Sequence, residues 1–315
     1  MSAKDKYVLA VPNFSEGRDL DLVDKIVAPV RKIRGVKVIG VEPEADFNRT
    51  VVTMIGEPSS IKEALITLGT SAAENIDMRE QSGSHPRIGA EDTLPIFPLR
   101  NISLEEVTQL AEEIGQEFFA KTQIPVIYCG ENARTEERRA YAFVRKGQYE
   151  GLKQLLIDTK DDPDRQEEYE ARKPDLSVDG LLDEKAGMTI VSAEQTGLTA
   201  YNIYLATEDL AIAKKIARAV RGPSGGFSSI RAVGVKFPEH EGVVVSMNMF
   251  DCINTPITRV HQFVCTEALA NGTHVVSSEL VGPIKLEAII AAFKHVLNLE
   301  DFKESQILET HLIDV

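Results

Sequence analysis

"VKVIGVEPEADFNRTVVTMIG", residues 36–56, decides how the chain folds. Two β-rich runs, "VKVIGVE" (36–42) and "RTVVTMIG" (49–56), flank a polar stretch from Pro43 to Asn48. Strands this close in sequence pair as an antiparallel hairpin. Upstream, "KYVLAVPNF" reads as a strand stopped at Pro12-Asn13, and Ser15 opens a helix with Leu20, Val23, Ile26, Val27 and Val30 at helical spacing, ended by Gly35. Downstream, a helix over 60–76 carries Ile61, Ala64, Leu65, Leu68 and Ala72 on one face and leads to the strand "TLPIFPL". The order is β-α-β-β-α-β. A hairpin in its middle obliges each outer strand to arrive by a crossover, the split βαβ arrangement with helices on one face.

A helix over "SLEEVTQLAEEIGQEFFA", with Ser103 and Glu106 spaced as a capping box, and the strand "IPVIYCG" close this half. The charged stretch "IDTKDDPDRQEEYEARKPDLSV" (157–178) reads as a solvated linker or surface excursion. The alternation then restarts: strand "LTAYNIYLA", helix "DLAIAKKIARAVRG", strands "IRAVGVKF" and "GVVVSMNMF", helix "ITRVHQFVCTEALANG", strand "THVVSSELVG" and helix "KLEAIIAAFKHVL". The repeat is one of order, not of residues. Each unit leaves one sheet face bare, and burying those faces together or lining a cleft with them resolves the exposure. The expected fold is therefore α+β.

At 315 residues, with 43% hydrophobic and 27% charged residues, the chain can bury a sizeable core without any Trp. A net charge of -14 argues against nucleic-acid and anionic-membrane partners, although a local arginine pocket could still take a small anion. Cys129, Cys252 and Cys265 are widely spaced, as free thiols in a reducing compartment would be. With no apolar run fit for a signal or a membrane span, the cytoplasm is the expected location. "RGPSGGF" (221–227) follows a helix where a phosphate cradle would precede one, so it reads as a loop. The six histidines (His85, His240, His261, His274, His295 and His311) are isolated from one another, and no metal is expected.

His85 stands apart in "SGSHPRIGAEDTLPIFPL" (82–99). Gly83 permits close backbone approach and Pro86 restricts His85 to extended conformations. With Arg87 and Asp92 nearby in sequence, an imidazole of fixed aim has what a proton shuttle requires; the plainer reading is a loop histidine ahead of a strand. In "EADFNRTVV", Asn48 and Arg49 open a strand where their donors could reach a cleft.

"VPNFSEGRD", "FNRTVVTMIGEP", "ENIDMR", "HPRIGAEDTLPIFPL", "IPVIYCGENARTEERRA", "VRKGQYEGL", "AYNIYL", "VVSMNM" and "VVSSELVGPIKLEAI", in this order over nearly the whole chain, resemble the glutamate formimidoyltransferase family. The resemblance implies the stand-alone transferase, moving a formimino group from N-formimino-L-glutamate to tetrahydrofolate in histidine degradation. It implies two ferredoxin-like (βαββαβ) subdomains, 1–188 and 189–315, packed with a ligand tunnel between their sheets. The family's catalytic histidine falls on His85, the acidic residue ending its second strand on Glu42, and its folate-contacting stretch between Asp175 and Gly187. Asn202, in "AYNIYL", joins Asn48, Arg49 and Arg87 as a substrate- or folate-binding candidate, the arginines suited to forked contacts with carboxylates. Tetrahydrofolate is the implied co-substrate, with small-molecule partners only and room for a homodimer. Three departures stand out. Gln81-Ser82-Gly83-Ser84-His85 replaces the family's His-His-Gly-Glu-His, Glu194 stands where an arginine is usual, and 176–186 is poor in aromatic residues. They leave open a different donor on the same scaffold, or a non-catalytic folate-binding relative.

Overall fold

The computed structural model describes residues 5–195, 199–237, 241–308 and 310; His240 and His311 lie outside them. The chain divides between Gln195 and Thr196 into two compact units. In the first, β1 (Tyr7–Ala10) and β2 (Asn13–Phe14) behave as one strand interrupted at Val11-Pro12, since both pair with β4 and β5. Then follow α1 (Leu20–Val27), β3 (Val36–Glu44), β4 (Arg49–Gly56), α2 (Pro58–Asn75), β5 (Glu91–Arg100), α3 (Leu104–Thr122) and β6 (Val126–Gly130). Helices α4 (Tyr141–Val144), α5 (Gln148–Thr159) and α6 (Gln166–Arg172) lead to β7 (Thr189–Ala193).

The hairpin β3–β4 is present, antiparallel, with Glu44 opposite Arg49. The sheet has seven strands: β3 pairs with β4, β4 with β1 and β2, and these with β5; β7 and β6 then add in parallel. The expected division at 188/189 is therefore corrected. "TIVSA", all five residues buried, is a central strand of the first sheet, lying between β5 and β6. Other local expectations shift as well. Asp19, not Ser15, caps α1 by accepting from the Leu22 N–H at 3.0 Å, while the Ser15 hydroxyl donates to the Gly89 carbonyl at 2.7 Å. The helix stops short of Pro29, which has no N–H to continue it. Ser103 and Glu106 form the full capping box of α3.

The charged stretch after Ile157 is more structured than expected. It holds the end of α5 and all of α6, whose Tyr169 and Arg172 are buried. Arg172 donates to the Val144 carbonyl at 2.6 Å and to that of Lys146, tying α6 to the end of α4.

Cross-strand partners share a face of a pleated sheet. One row crosses the first sheet: Glu42, Val51, Asn13, Thr93, Ile190 and Ile127. Tyr128, next along β6, points into α3, where a Cβ on Gly115 would lie 2.4 Å from its hydroxyl. Alternation therefore places the row on the face away from α3.

The second unit runs β8 (Thr199–Leu205), α7 (Leu210–Val220), β9 (Ile230–Val235), β10 (Val243–Met249), α8 (Ile257–Ala270), β11 (Val275–Val281) and α9 (Leu286–Leu297). Its sheet is antiparallel throughout, ordered β11-β8-β10-β9. Tyr201, Ile203 and Leu205 of β8 join Ala213, Ile216 and Val220 of α7 and Val260 and Val264 of α8 in a separate core. The three cysteines are unbridged. Among the described residues no helix is long and apolar enough to cross a membrane.

Candidate active site

The site is built where β4 begins, β2 ends and β5 begins. Segment 82–90 runs past these ends and is fastened on both sides. The Ala90 carbonyl accepts from Ser15 N–H and its N–H donates to Ala186 O, both at 2.8 Å. Ile88 O accepts from Met188 N–H at 3.0 Å, and Arg87 O from Tyr149 N–H at 2.9 Å. Ile88 N–H donates to Asp92 Oδ1 at 2.7 Å. Asn48, buried and at φ +50°, closes the other end: its Oδ1 accepts from Gly17 N–H and its Nδ2 donates to Ser82 O at 2.8 Å. Gly83 is required here, because a Cβ would sit 2.1 Å from the Phe47 carbonyl.

His85 stands on this base, half-buried, its ring 5.8 Å from that of Phe47. Arg49 Nη1 lies 2.7 Å from His85 Nε2. A guanidinium only donates, so Nε2 accepts and the neutral ring carries its proton on Nδ1. That Nδ1 is buried without a partner, a situation costing about 1–3 kcal/mol. Burial, then the Arg49 and Arg145 charges, push the His85 pKa down to about 4, against a smaller opposing pull from Asp92. Arg49 has no carboxylate partner among the described residues. Burial and the Arg145 charge lower its pKa.

Behind them lies an array that sequence reading brought out only in part. Asp92, fully buried, pairs through Oδ2 with Arg145. The Arg145 guanidinium stands 5.3 Å from the Tyr141 ring centroid, and the Tyr141 hydroxyl donates to Glu194 Oε1 at 2.9 Å beside Ser192. Burial raises the Glu194 pKa. Arg145, in the family-like stretch "VRKGQYEGL", and Tyr141 were not singled out in the sequence, since only the fold brings them to Asp92 and Glu194.

The remaining candidates divide by role. Arg87 is buried and spends its donors on Gln81, Gln148 and a two-pronged pair with Glu150, at 2.7 and 3.0 Å, so it clamps the loop and is not free for a substrate carboxylate. Asp175 accepts from buried Arg138 and from Tyr128 N–H, both at 2.8 Å, which fastens the chain after α6. Gly187, at φ +74°, allows close approach to the His85 loop; a Cβ there would lie 2.2 Å from Ile88 O. Glu42 is exposed at one end of the row of paired residues, its pKa raised by partial desolvation. Asn202 belongs to the second unit, where it and Tyr204 donate to Glu279 at 3.3 and 2.7 Å. The Ser84 hydroxyl is spent on the Asp46 carbonyl at 2.9 Å. Among the described residues no three His, Cys, Asp or Glu side chains gather as metal ligands would.

Glu91 sits on the opposite, helix-covered side, 3.3 Å from where a Cβ on Gly69 would stand. It is fully buried, both its carboxylate oxygens lack partners, and desolvation raises its pKa well above the ordinary value. The folded chain thus keeps a proton that the unfolded chain releases, and stability falls as pH rises above the ordinary carboxyl range. Glu91→Met should unfold at a higher temperature than wild type at pH 8, with the gap narrowing below pH 4.5. Thermal denaturation at the two pH values measures this.

The geometry sets a neutral histidine beside arginines at the end of an α+β sheet. The formiminotransferase domain, N-terminal subdomain, matches residues 7–194, and the formiminotransferase domain matches 200–315. The chain is 35% identical to glutamate formimidoyltransferase of Streptococcus pyogenes, over 98% of this chain and 99% of that one. It is 36% identical to the enzyme of that name from Thermoplasma acidophilum, with 96% of each covered. Formimidoyltransferase-cyclodeaminase of Gallus gallus is 34% identical over 94% of this chain and 53% of its own length. The chain belongs to the formiminotransferase family.

Proposed function

We propose that the protein is a glutamate formimidoyltransferase, moving the formimino group of N-formimino-L-glutamate to tetrahydrofolate to give 5-formimidoyltetrahydrofolate and L-glutamate. The observation that carries this is the fixed, neutral His85 beside Arg49, an arginine without a carboxylate partner, on a chain of this family. In the reaction, N5 of the folate attacks the amidine carbon and a C–N bond forms. His85 accepts the N5 proton, then returns a proton to the glutamate nitrogen as its bond to that carbon breaks. One imidazole, regenerated at the end, serves both halves. Arg49 is positioned to hold a donor carboxylate.

Ferredoxin-like folding of both units and a folate tunnel are part of this proposal. The order β11-β8-β10-β9 supports the first, and the polar side chains of Glu42, Asn13 and Thr93 on the sheet face away from α3 support a ligand-binding face on the first sheet. A cytoplasmic setting accords with three free cysteines. A homodimer is supported by β11, an edge strand exposed from Val276 to Val281, and by exposed Ile289, Phe293, Val296 and Leu297 of α9. Leu280→Lys should then halve the mass measured by light scattering.

Incubation of the wild type with formiminoglutamate and tetrahydrofolate tests the activity. Formation of glutamate and formimidoyl-folate supports it. Tetrahydrofolate binding without transfer would mean that another donor is used, and neither binding nor transfer would sink the reading.

A further inference from the structure

The resting site poses a problem for its own chemistry. The lone pair that must take a proton, on His85 Nε2, is already engaged by Arg49 Nη1. The other ring nitrogen is buried without a hydrogen-bond partner. Arg49, for its part, is a half-buried cation with no carboxylate to answer it among the described residues. Its neighbour Arg145 has one, Asp92.

We propose that Arg49 is a gate on His85: it occupies Nε2 in the free enzyme and leaves it when a carboxylate of the bound donor draws the guanidinium away. This rests on the formimidoyltransferase reading and adds what makes the base available. A carboxylate offers a guanidinium two acceptors and an opposite charge, where a neutral imidazole offers one acceptor and no charge. The exchange therefore runs towards the carboxylate.

Two consequences follow from the same movement. Nε2 becomes free to accept a proton, and a cation next to the ring becomes neutralised. The charged groups acting on His85 are Arg49 from the start of β4, Arg145 just after α4 and Asp92 from the start of β5. Asp92 and Arg145 are already paired with each other, whereas Arg49, the larger of the two cationic influences on the ring, is the one a ligand can neutralise. Arg49 is thus a positioning residue that couples the anionic end of the donor to activation of the base. Donors lacking that carboxylate would bind next to a histidine still engaged, so the device also selects against them.

The test is the titration of His85 followed by long-range ¹H–¹⁵N spectra of the histidine-labelled full chain, with the His85→Ala spectrum assigning the resonance. In the free wild type, His85 should stay neutral, protonated on Nδ1, down to about pH 4. Saturating L-glutamate, the product carrying the donor's carboxylates, should move its midpoint up by roughly a pH unit or more. In Arg49→Gln the free-enzyme midpoint should already be raised, and glutamate should no longer move it. A wild-type midpoint unmoved by glutamate, with binding verified by calorimetry, overturns the gate. So does an undiminished glutamate response in Arg49→Gln. The wild-type arm needs no variant to fold. Formimino transfer without a glutamate-dependent shift would remove the gate and keep the function; a shift without transfer would keep the gate and remove the proposed donor.

Discussion

His85→Ala should lose formimino transfer by about 10²–10⁴-fold in kcat, the range that removal of a single general acid–base commonly costs. The fold should survive the change. His85 is half-buried, its Nδ1 makes no hydrogen bond, and the loop is held through Asn48, Arg87, Ile88 and Ala90 without its side chain. The binding of tetrahydrofolate and the melting temperature should therefore stay close to wild type while turnover collapses. Steady-state kinetics beside calorimetric folate titration separate the two. A variant that still turns over within a few-fold of wild type would remove His85 from the chemistry and return it to the status of a loop residue.

The largest effect on stability is expected at Asp175, a residue that sequence reading placed in the folate-contacting stretch. Its carboxylate answers Arg138, whose side chain is 3% exposed, and its other oxygen caps the Tyr128 N–H. Arg138 also holds the carbonyls of Glu170, Ala171 and Lys173, so it cannot swing out to water without releasing the end of α6. Asp175→Ala leaves that guanidinium buried and unanswered, which costs about 3–5 kcal/mol. At about 2–4 °C per kcal/mol for a unit of this size, the first transition in a thermal scan should drop by roughly 6–20 °C. If Asp175 bound folate instead, the same variant would raise KM for tetrahydrofolate and melt near wild type.

How much of this could be seen in the sequence depends on how local each signal is. The β3–β4 hairpin, the helix-capping pair Ser103–Glu106 and the close backbone approach at Gly83 are all written within a few residues, and all are present. The motif order pointed to the family. β7 was missed because five buried residues without alternation carry no period, and its partners lie some 60 and 100 residues back. The pairing of Arg87, expected as a carboxylate-binding residue, with Glu150 was not legible because the two lie 63 positions apart. Arg145 went unremarked for the same reason: its role exists only once Asp92 is beside it.

The place of β7 also governs the order in which the molecule can be made. In the first sheet the strand synthesised last is not an edge but the link between β5 and β6. Until residue 193 has left the ribosome, β6 lacks its sheet neighbour and has only the bridge to Leu176, and the groups it shares with β7 wait unsatisfied. The nascent first unit thus spends the translation time of 131–193 with a buried strand in want of a partner, the interval in which chains aggregate or recruit chaperones. A chain cut after residue 188 should stay in that condition permanently, whereas one cut after residue 195 has every strand needed to close the sheet.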